Sequence, residues 1–305
     1  VTGPPPPRSS PLVPPLLERC SFPPAGTAVT CAVSGGADSL ALLVLAVAAG
    51  CEVLAVHVDH GLRTGSAQEA DVVAGAAERF GATFRAERVQ VGRGPNLEAR
   101  ARDARRAVLP SDVLTGHTAD DQAETVLLNL LRGAGLDGLG AMGPAGHPLL
   151  ALRRAETVAL CAAEGLQPVV DPSNVDRTFR RNRVRHDVLP LLDEVADRDL
   201  VPVLVRQAAL LRDDGALLDQ LAAALDPTDA RALAAAPAPL ARRAVRTWLR
   251  QATGAGHPVD SAAVARVLAV ARGDAVAAEV TGGWSVRRSG GRLSCTGGGA
   301  SGAQG

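Results

Sequence analysis

Ser34-Gly35-Gly36-Ala37-Asp38-Ser39 carries the side chains and the backbone freedom needed to hold phosphate. Two glycines let the chain turn sharply with its N–H groups exposed, and a helix beginning there adds its positive end. Ser34 and Ser39 offer hydroxyls to phosphate oxygens, and Asp38 offers a carboxylate to a metal ion beside them. An ordinary strand-to-helix turn accounts for Gly-Gly alone; the serines and the aspartate weigh against it. The string is neither Gly-x-x-x-x-Gly-Lys-Ser/Thr nor Gly-x-Gly-x-x-Gly, which sets aside two common nucleotide loops.

A second polar stretch, Gly116–Thr125, holds His117, Asp120, Asp121 and Glu124. Metal ligation, acid–base chemistry and helix capping all compete for it. Asp120 and Asp121 fall where the first turn of a helix welcomes acids. Asp121 and Glu124, three apart, share a helix face that suits a substrate amine or Mg²⁺. His117 has no His-x-Glu or Cys-x-x-Cys partner and reads as a hydrogen-bonded structural histidine. Two arginine groups complete the polar inventory. Arg102, Arg105 and Arg106 share a face of a charged helix and read first as a solvated surface with pairs such as Glu98–Arg102. Arg177–Arg185 holds five arginines and no acid, a density that favours an anion, the phosphate of a nucleotide or of RNA.

Short apolar runs alternate with helical ones through the first half of the chain. Strands are expected at Ala28–Val33, Glu52–Asp59, Phe84–Val91 and Asp112–Thr115, and helices at Leu40–Ala49, Ser66–Phe80 and Leu97–Val108, with a further helix beyond the fourth strand's polar loop that runs to Arg132. That alternation predicts an α/β fold, a doubly wound parallel sheet with a smaller C-terminal domain. Its strand ends would gather Ser34–Ser39, Asp59–Arg63 and His117–Glu124 along one edge. The expected organisation is a flexible Pro-rich tail over 1–25, a catalytic domain over 26–192 and a connecting helix over 193–225. A small basic domain over 226–296 and a flexible tail over 297–305 follow. The small domain reads as helices at Ala230–Ala235, Leu240–Ala252 and Ser261–Ala271, then strands at Ala277–Val280, Trp284–Arg287 and Arg292–Cys295.

Composition narrows the class. Of the 305 residues 47% are hydrophobic but only 2% aromatic, so the core is aliphatic. All 32 basic residues are arginine, as a GC-rich genome favours, which weakens the meaning of any single arginine. Formal net charge is zero, yet residues 231–295 carry ten arginines and three acids, a modest sign of nucleic acid in the C-terminal piece. Five cysteines, never spaced as Cys-x-x-Cys, leave disulfide frameworks, zinc ribbons and cysteine-held clusters unsupported and read as small core residues. No apolar run reaches membrane-spanning length and the start lacks a signal-peptide pattern, so a cytoplasmic enzyme is expected. The initial Val suggests a non-standard start codon.

Ser34–Ser39 resembles the PP-loop of enzymes that split ATP into AMP and pyrophosphate. Other blocks, in order, make the resemblance narrower: Val58-Asp59-His60-Gly61-Leu62-Arg63, Asn96–Arg102, Gly116–Thr125 with Leu131-Arg132-Gly133, Pro148-Leu149-Leu150, and Asp171-Pro172-Ser173-Asn174 through Arg181-Asn182-Arg183 to Val188-Leu189-Pro190. Together, over about 28–192, they are similar to the tRNA(Ile)-lysidine synthetase family, in its short two-domain form. The resemblance implies ATP-dependent ligation of lysine to C2 of cytidine 34 in the CAU anticodon of tRNA(Ile), through an adenylated tRNA. ATP and Mg²⁺ are the implied cofactors, with tRNA(Ile) and L-lysine as partners. It assigns ATP to Ser34–Ser39, metal to Asp38, catalysis to Asp38 and Asp121, lysine to Arg105 and Glu124, and tRNA to Arg181, Arg183 and Arg185. No membrane partner is implied, and a homodimer stays open. His147 before Pro-Leu-Leu, Thr118 after His117 and Arg106 depart from the family pattern, where arginine, a second histidine and an aromatic residue are usual. A related tRNA thiolase is disfavoured by the lack of cysteine pairs. A non-catalytic RNA-binding relic is disfavoured by intact Ser34–Ser39, Asp121 and Glu124.

Overall fold

The computed structural model describes residues 10–59, 66–89, 100, 104, 107–171, 175–254 and 259–297. Arg105, most of the helix expected over 97–108, the His60–Arg63 and Pro172–Asn174 motifs and both chain ends lie outside the described residues. The chain divides into two compact units, Val1–Leu211 and Arg212–Gly305.

In the first unit β1 (Ala28–Ala32), β2 (Glu52–Asp59), β3 (Thr83–Arg88) and β4 (Leu114–Thr115) form one sheet, parallel throughout, in the order β3-β2-β1-β4. Strands are added outward from β1 on one side, and then β4 joins its other side. That reversal makes the carboxyl ends of β1 and β4 the crevice where a doubly wound sheet binds ligands. Register places Cys31 opposite Leu114 and Ala32 opposite Thr115, so the phosphate loop and the histidine–carboxylate stretch leave the sheet side by side. Two strands are shorter than their sequence suggests. β3 stops at Arg88, and β4 is only the two residues that reach β1.

Packed with this sheet among the described residues are α1 (Val13–Leu17), α2 (Ala37–Ala48) and α3 (Ser66–Phe80). Leu40 to Leu45 of α2 are all buried, so this helix is apolar on every side and lies inside the unit. It shares a core with Cys31, Val53, Val73, Leu149, Leu152 and Leu160. Cys31, Cys51 and Cys161 are buried free thiols, and burial pushes those of Cys31 and Cys161 up to about 12.

A second set of helices carries most of the charged side chains that meet at the crevice. It comprises α4 (Ala119–Leu131), α5 (Arg154–Ala163), α6 (Arg180–Arg183), a π turn over Val184–Val188 and α7 (Leu189–Ala196). Ala119, Ala123, Leu127 and Leu128 of α4 pack against Val184, Leu189 and Val201, which lays the arginine segment along α4. The connecting helix expected over 193–225 is instead two helices, α7 and α8 (Val201–Ala223). Asp197 breaks them by adopting left-handed backbone, φ 50° and ψ 40°, a conformation aspartate tolerates better than most residues. Asp193 closes the break by accepting from Leu200 N–H at 2.8 Å.

The second unit contains α9 (Ala230–Ala235), α10 (Ala238–Thr253) and α11 (Ser261–Arg272), followed by the antiparallel meander β5 (Ala277–Val280), β6 (Trp284–Ser289) and β7 (Arg292–Gly297). Its core is Leu233, Val245, Leu249, Val264, Val267, Val286 and Leu293. Asp229 caps α9 by accepting from the N–H groups of Arg231 and Ala232 at 2.9 and 3.0 Å.

Candidate active site

The phosphate loop is held from within by Ser39. Its Oγ donates to the Gly36 carbonyl at 2.9 Å, accepts from Ser34 N–H at 3.1 Å and lies 3.2 Å from the Ser34 hydroxyl. Ser39 is buried and Ser34 exposed, so Ser34 is the hydroxyl that faces out. Gly35 needs its hydrogen: φ is +84°, and its carbonyl accepts from Val169 N–H at 2.9 Å. Ala37 and Asp38 open α2, whose N-cap, Gly36, contributes no side-chain hydrogen bond. First-turn N–H groups there suit an anion. Gly116 completes the wall, since a Cβ on it would stand 2.4 Å from the Asp38 carbonyl oxygen.

Asp38, Asp121 and Glu124, brought together from α2 and α4, face three arginines. Glu124 is fully buried. Its Oε1 accepts from Arg185 Nε at 2.6 Å and Arg154 Nη1 at 3.3 Å, and its Oε2 from Arg181 Nε at 2.7 Å and Arg185 Nη2 at 3.2 Å. Asp121 divides its work. Oδ2 caps α4 by accepting from Thr118 N–H and Oγ1, both at 3.0 Å, while Oδ1 accepts from Arg154 Nη2 at 2.8 Å and Arg181 Nη2 at 3.2 Å. The capping and charge-binding readings of this aspartate therefore hold at once. Asp38 accepts from Arg154 Nε at 3.4 Å and from the Thr157 hydroxyl.

Burial and charge push the Asp38 and Asp121 carboxyls in opposite directions. Burial raises Asp38, and Thr157 and Arg154 only partly offset it. Burial would raise Asp121 too, but Arg154 and Arg181 together hold it below the usual carboxylate range. Among the described residues no group of three or more His, Cys, Asp or Glu side chains makes a metal cage. One carboxylate beside a phosphate loop fits Mg²⁺, which uses one or two carboxylates plus substrate phosphates.

His117 is hydrogen-bonded, as its isolation in the sequence suggests. Its Nδ1 lies 2.7 Å from Thr115 Oγ1, which is also 2.6 Å from His147 Nδ1. The single Thr115 hydroxyl hydrogen, which the Gly146 carbonyl also accepts at 3.3 Å, serves at most one ring, so at least one ring donates to Thr115. Burial lowers the His147 pKa, with Asp121 opposing it.

Arg154 and Thr157 are site residues that sequence reasoning passed over, and Asp120, read there only as a first-turn acid, holds both neighbouring arginines. Asp120 accepts from Arg154 N–H at 2.8 Å and from the Arg153 guanidinium at 3.1 Å, and so fixes the start of α5 against the start of α4. A signal existed: Arg153-Arg154 opens a helix, where a cation opposes the dipole, so something acidic must face it. Arg181 and Arg185 turn inward to Glu124, whereas Arg183 lines an outer groove with Arg132, Arg180, Leu128, Leu131 and Val184.

The PP-loop domain family matches residues 17–192, and the family described as TilS substrate binding domain matches 229–294. A tRNA(Ile)-lysidine synthase of Nocardia farcinica is 48% identical over 256 residues, 78% of this chain and 80% of that one. Another, of Thermobifida fusca, is 40% identical over 301 residues, 89% of this chain and 90% of the relative. The chain belongs to the tRNA(Ile)-lysidine synthase family. Like its fellow lysidine synthases it is a ligase, and its PP-loop domain binds ATP. The U34-tRNA thiolase NcsA of Methanococcus maripaludis superposes with a TM-score of 0.54 over 66% of this chain and 78% of that one, at 19% identity, a likeness of fold alone. Among the described residues no helix of this lysidine synthase relative is long and apolar enough to cross a membrane.

Proposed function

We propose that this enzyme joins the ε-amine of lysine to C2 of cytidine 34 in tRNA(Ile), in the cytoplasm, at the crevice between β1 and β4. The observation that carries the reading is the meeting of a phosphate loop with a buried carboxylate pair, Asp121 and Glu124, in a chain of this family. In the first step the C2 oxygen attacks the α-phosphorus of ATP and pyrophosphate leaves. In the second the lysine nitrogen attacks C2, and AMP departs with that oxygen. Ser34–Ser39 receives the phosphates on its N–H groups and on the Ser34 hydroxyl. Asp38 is the residue that would hold Mg²⁺, which when bound neutralises charge on the departing pyrophosphate.

Free lysine is an ammonium near neutral pH and must lose one proton to attack. Glu124 orients it, Arg105 takes its carboxylate, and Asp121 accepts the proton. Asp121 is a poor base while two guanidiniums hold it ionised, so it serves only after one of them withdraws. Arg183 is assigned to tRNA directly. Arg181 and Arg185 join it through their partly exposed side chains while still holding Glu124, and the 229–294 region supplies the remaining tRNA contacts.

The test separates the two steps. Glu124→Gln should raise the lysine KM far more than the ATP KM, while adenylated tRNA still forms without lysine. Equal loss of adenylation and of lysidine, read by mass spectrometry of nucleoside 34, would move Glu124 out of the amine site.

A further inference from the structure

Glu124 Oε1, Asp121 Oδ1 and Asp38 Oδ2 all turn toward one guanidinium. Arg154 gives Nη1 to the first at 3.3 Å, Nη2 to the second at 2.8 Å and Nε to the third at 3.4 Å. Arg181 and Arg185 share Glu124 and Asp121. Three carboxylates thus face three guanidiniums, and the cluster is formally neutral. An arriving ammonium would leave this group, whose Glu124 is fully buried and Asp121 nearly so, with an excess positive charge, which is costly away from water. If the ammonium takes the place of one guanidinium, neutrality is kept.

Arg154 is the cation placed to leave. Arg185 and Arg181 each give Glu124 a short Nε bond, 2.6 and 2.7 Å, whereas Arg154 reaches it only at 3.3 Å. Its main chain is anchored separately, through its N–H on Asp120, so the head can swing without unravelling α5. We propose that Arg154 is a resident counter-cation standing where the substrate ammonium goes, and that lysine binds by exchanging with it. The inference rests on the reading of Glu124 and Asp121 as the amine site. It makes Arg154 a specificity-determining residue: a side chain with a cationic end displaces it, and a neutral one of the same length does not. The exchange also removes one of the two guanidiniums that keep Asp121 from acting as a base.

The test is lysine binding to the full chain without ATP or tRNA, by calorimetry. Arg154→Gln and Arg154→Met should each bind lysine about tenfold tighter than the unaltered protein, because the competing state is gone, with norleucine binding unchanged. In Arg154→Met, methylguanidinium should compete with lysine. Lysine affinity that is unchanged or weaker in both variants overturns the exchange. If neither variant folds, the unaltered protein decides. Adding lysine, but not norleucine, should shift one arginine Nε–H resonance that Arg154→Lys lacks, and a static resonance refutes the proposal. Glu124→Gln separates the two ideas. Unchanged lysine affinity there defeats the amine-site reading itself, whereas lost affinity there without a gain in the Arg154 variants defeats only the exchange.

Discussion

Gly116→Ala offers the most direct measure of how tightly the phosphate loop is walled. The added Cβ would stand 2.4 Å from the Asp38 carbonyl oxygen, 2.7 Å from its carbon and 3.0 Å from Ser39 nitrogen, against 3.4 Å for ordinary contact. Relief therefore requires about 1 Å of movement, and all three neighbours are main chain, so no rotamer change supplies it. They open α2, whose following residues are buried on every side and resist displacement. Overpacking of this kind costs about 1–3 kcal/mol, which for a unit of this size lowers Tm by about 2–12 °C. A shift of about 1 Å at a reacting centre costs on the order of 100-fold in rate. The assay is pyrophosphate release with tRNA and lysine, beside a thermal melt and a tRNA-binding titration. The expected variant is folded, binds tRNA normally and loses about two orders of magnitude in kcat/KM for ATP. Release within about threefold of the unaltered enzyme would show that Asp38 and the loop tolerate the shift, and the close-approach account of Gly116 would fail.

Two further outcomes follow from the charges. Asp121 has a folded-state pKa depressed by Arg154 and Arg181, so its stabilisation is present above its unfolded value of about 3.9 and is lost as pH falls through the folded one. Asp121→Asn should therefore flatten the fall of Tm with acidification below about pH 4; an unchanged acid limb would mean that the pairs contribute nothing to stability. Arg183→Ala should weaken tRNA binding and reduce the slope of log K against log salt by about one phosphate contact. An unaltered slope would return Arg183 to the solvated surface.

The parallel sheet was legible because buried strands such as Ala28–Ala32 and Glu52–Asp59 are continuous apolar runs between helical ones. The second unit's elements were legible for a different reason. Asp229, Asp260 and Gly273 mark helix ends by local chemistry, and the meander's turns carry their own glycines. Local signals say little about partners far apart in sequence. Arg181 and Arg185 read as a site for an external anion until α4 packs beneath them and turns both onto Glu124, 57 and 61 residues away. Arg154 is harder still, since its three partners lie on two other helices and only the sheet topology brings those helices together. The break at Asp197 escaped because alanine- and leucine-rich sequence on both sides reads as one helix.

The burial of α2 on all sides has a consequence for opening events. Amides of Leu40–Leu45 lie in the core, so their hydrogen exchange should report whole-unit unfolding, and the phosphate loop, whose own N–H groups face outward, is anchored at the head of that helix. The arginine segment is built otherwise: a four-residue helix runs into a π turn, and Arg181 and Arg185 remain partly exposed. Sub-global opening there can proceed while the sheet stays intact. Nucleotide phosphates would then meet the last part of the unit to open, and the amine and RNA a part that opens and recloses many times during one lifetime of the folded state.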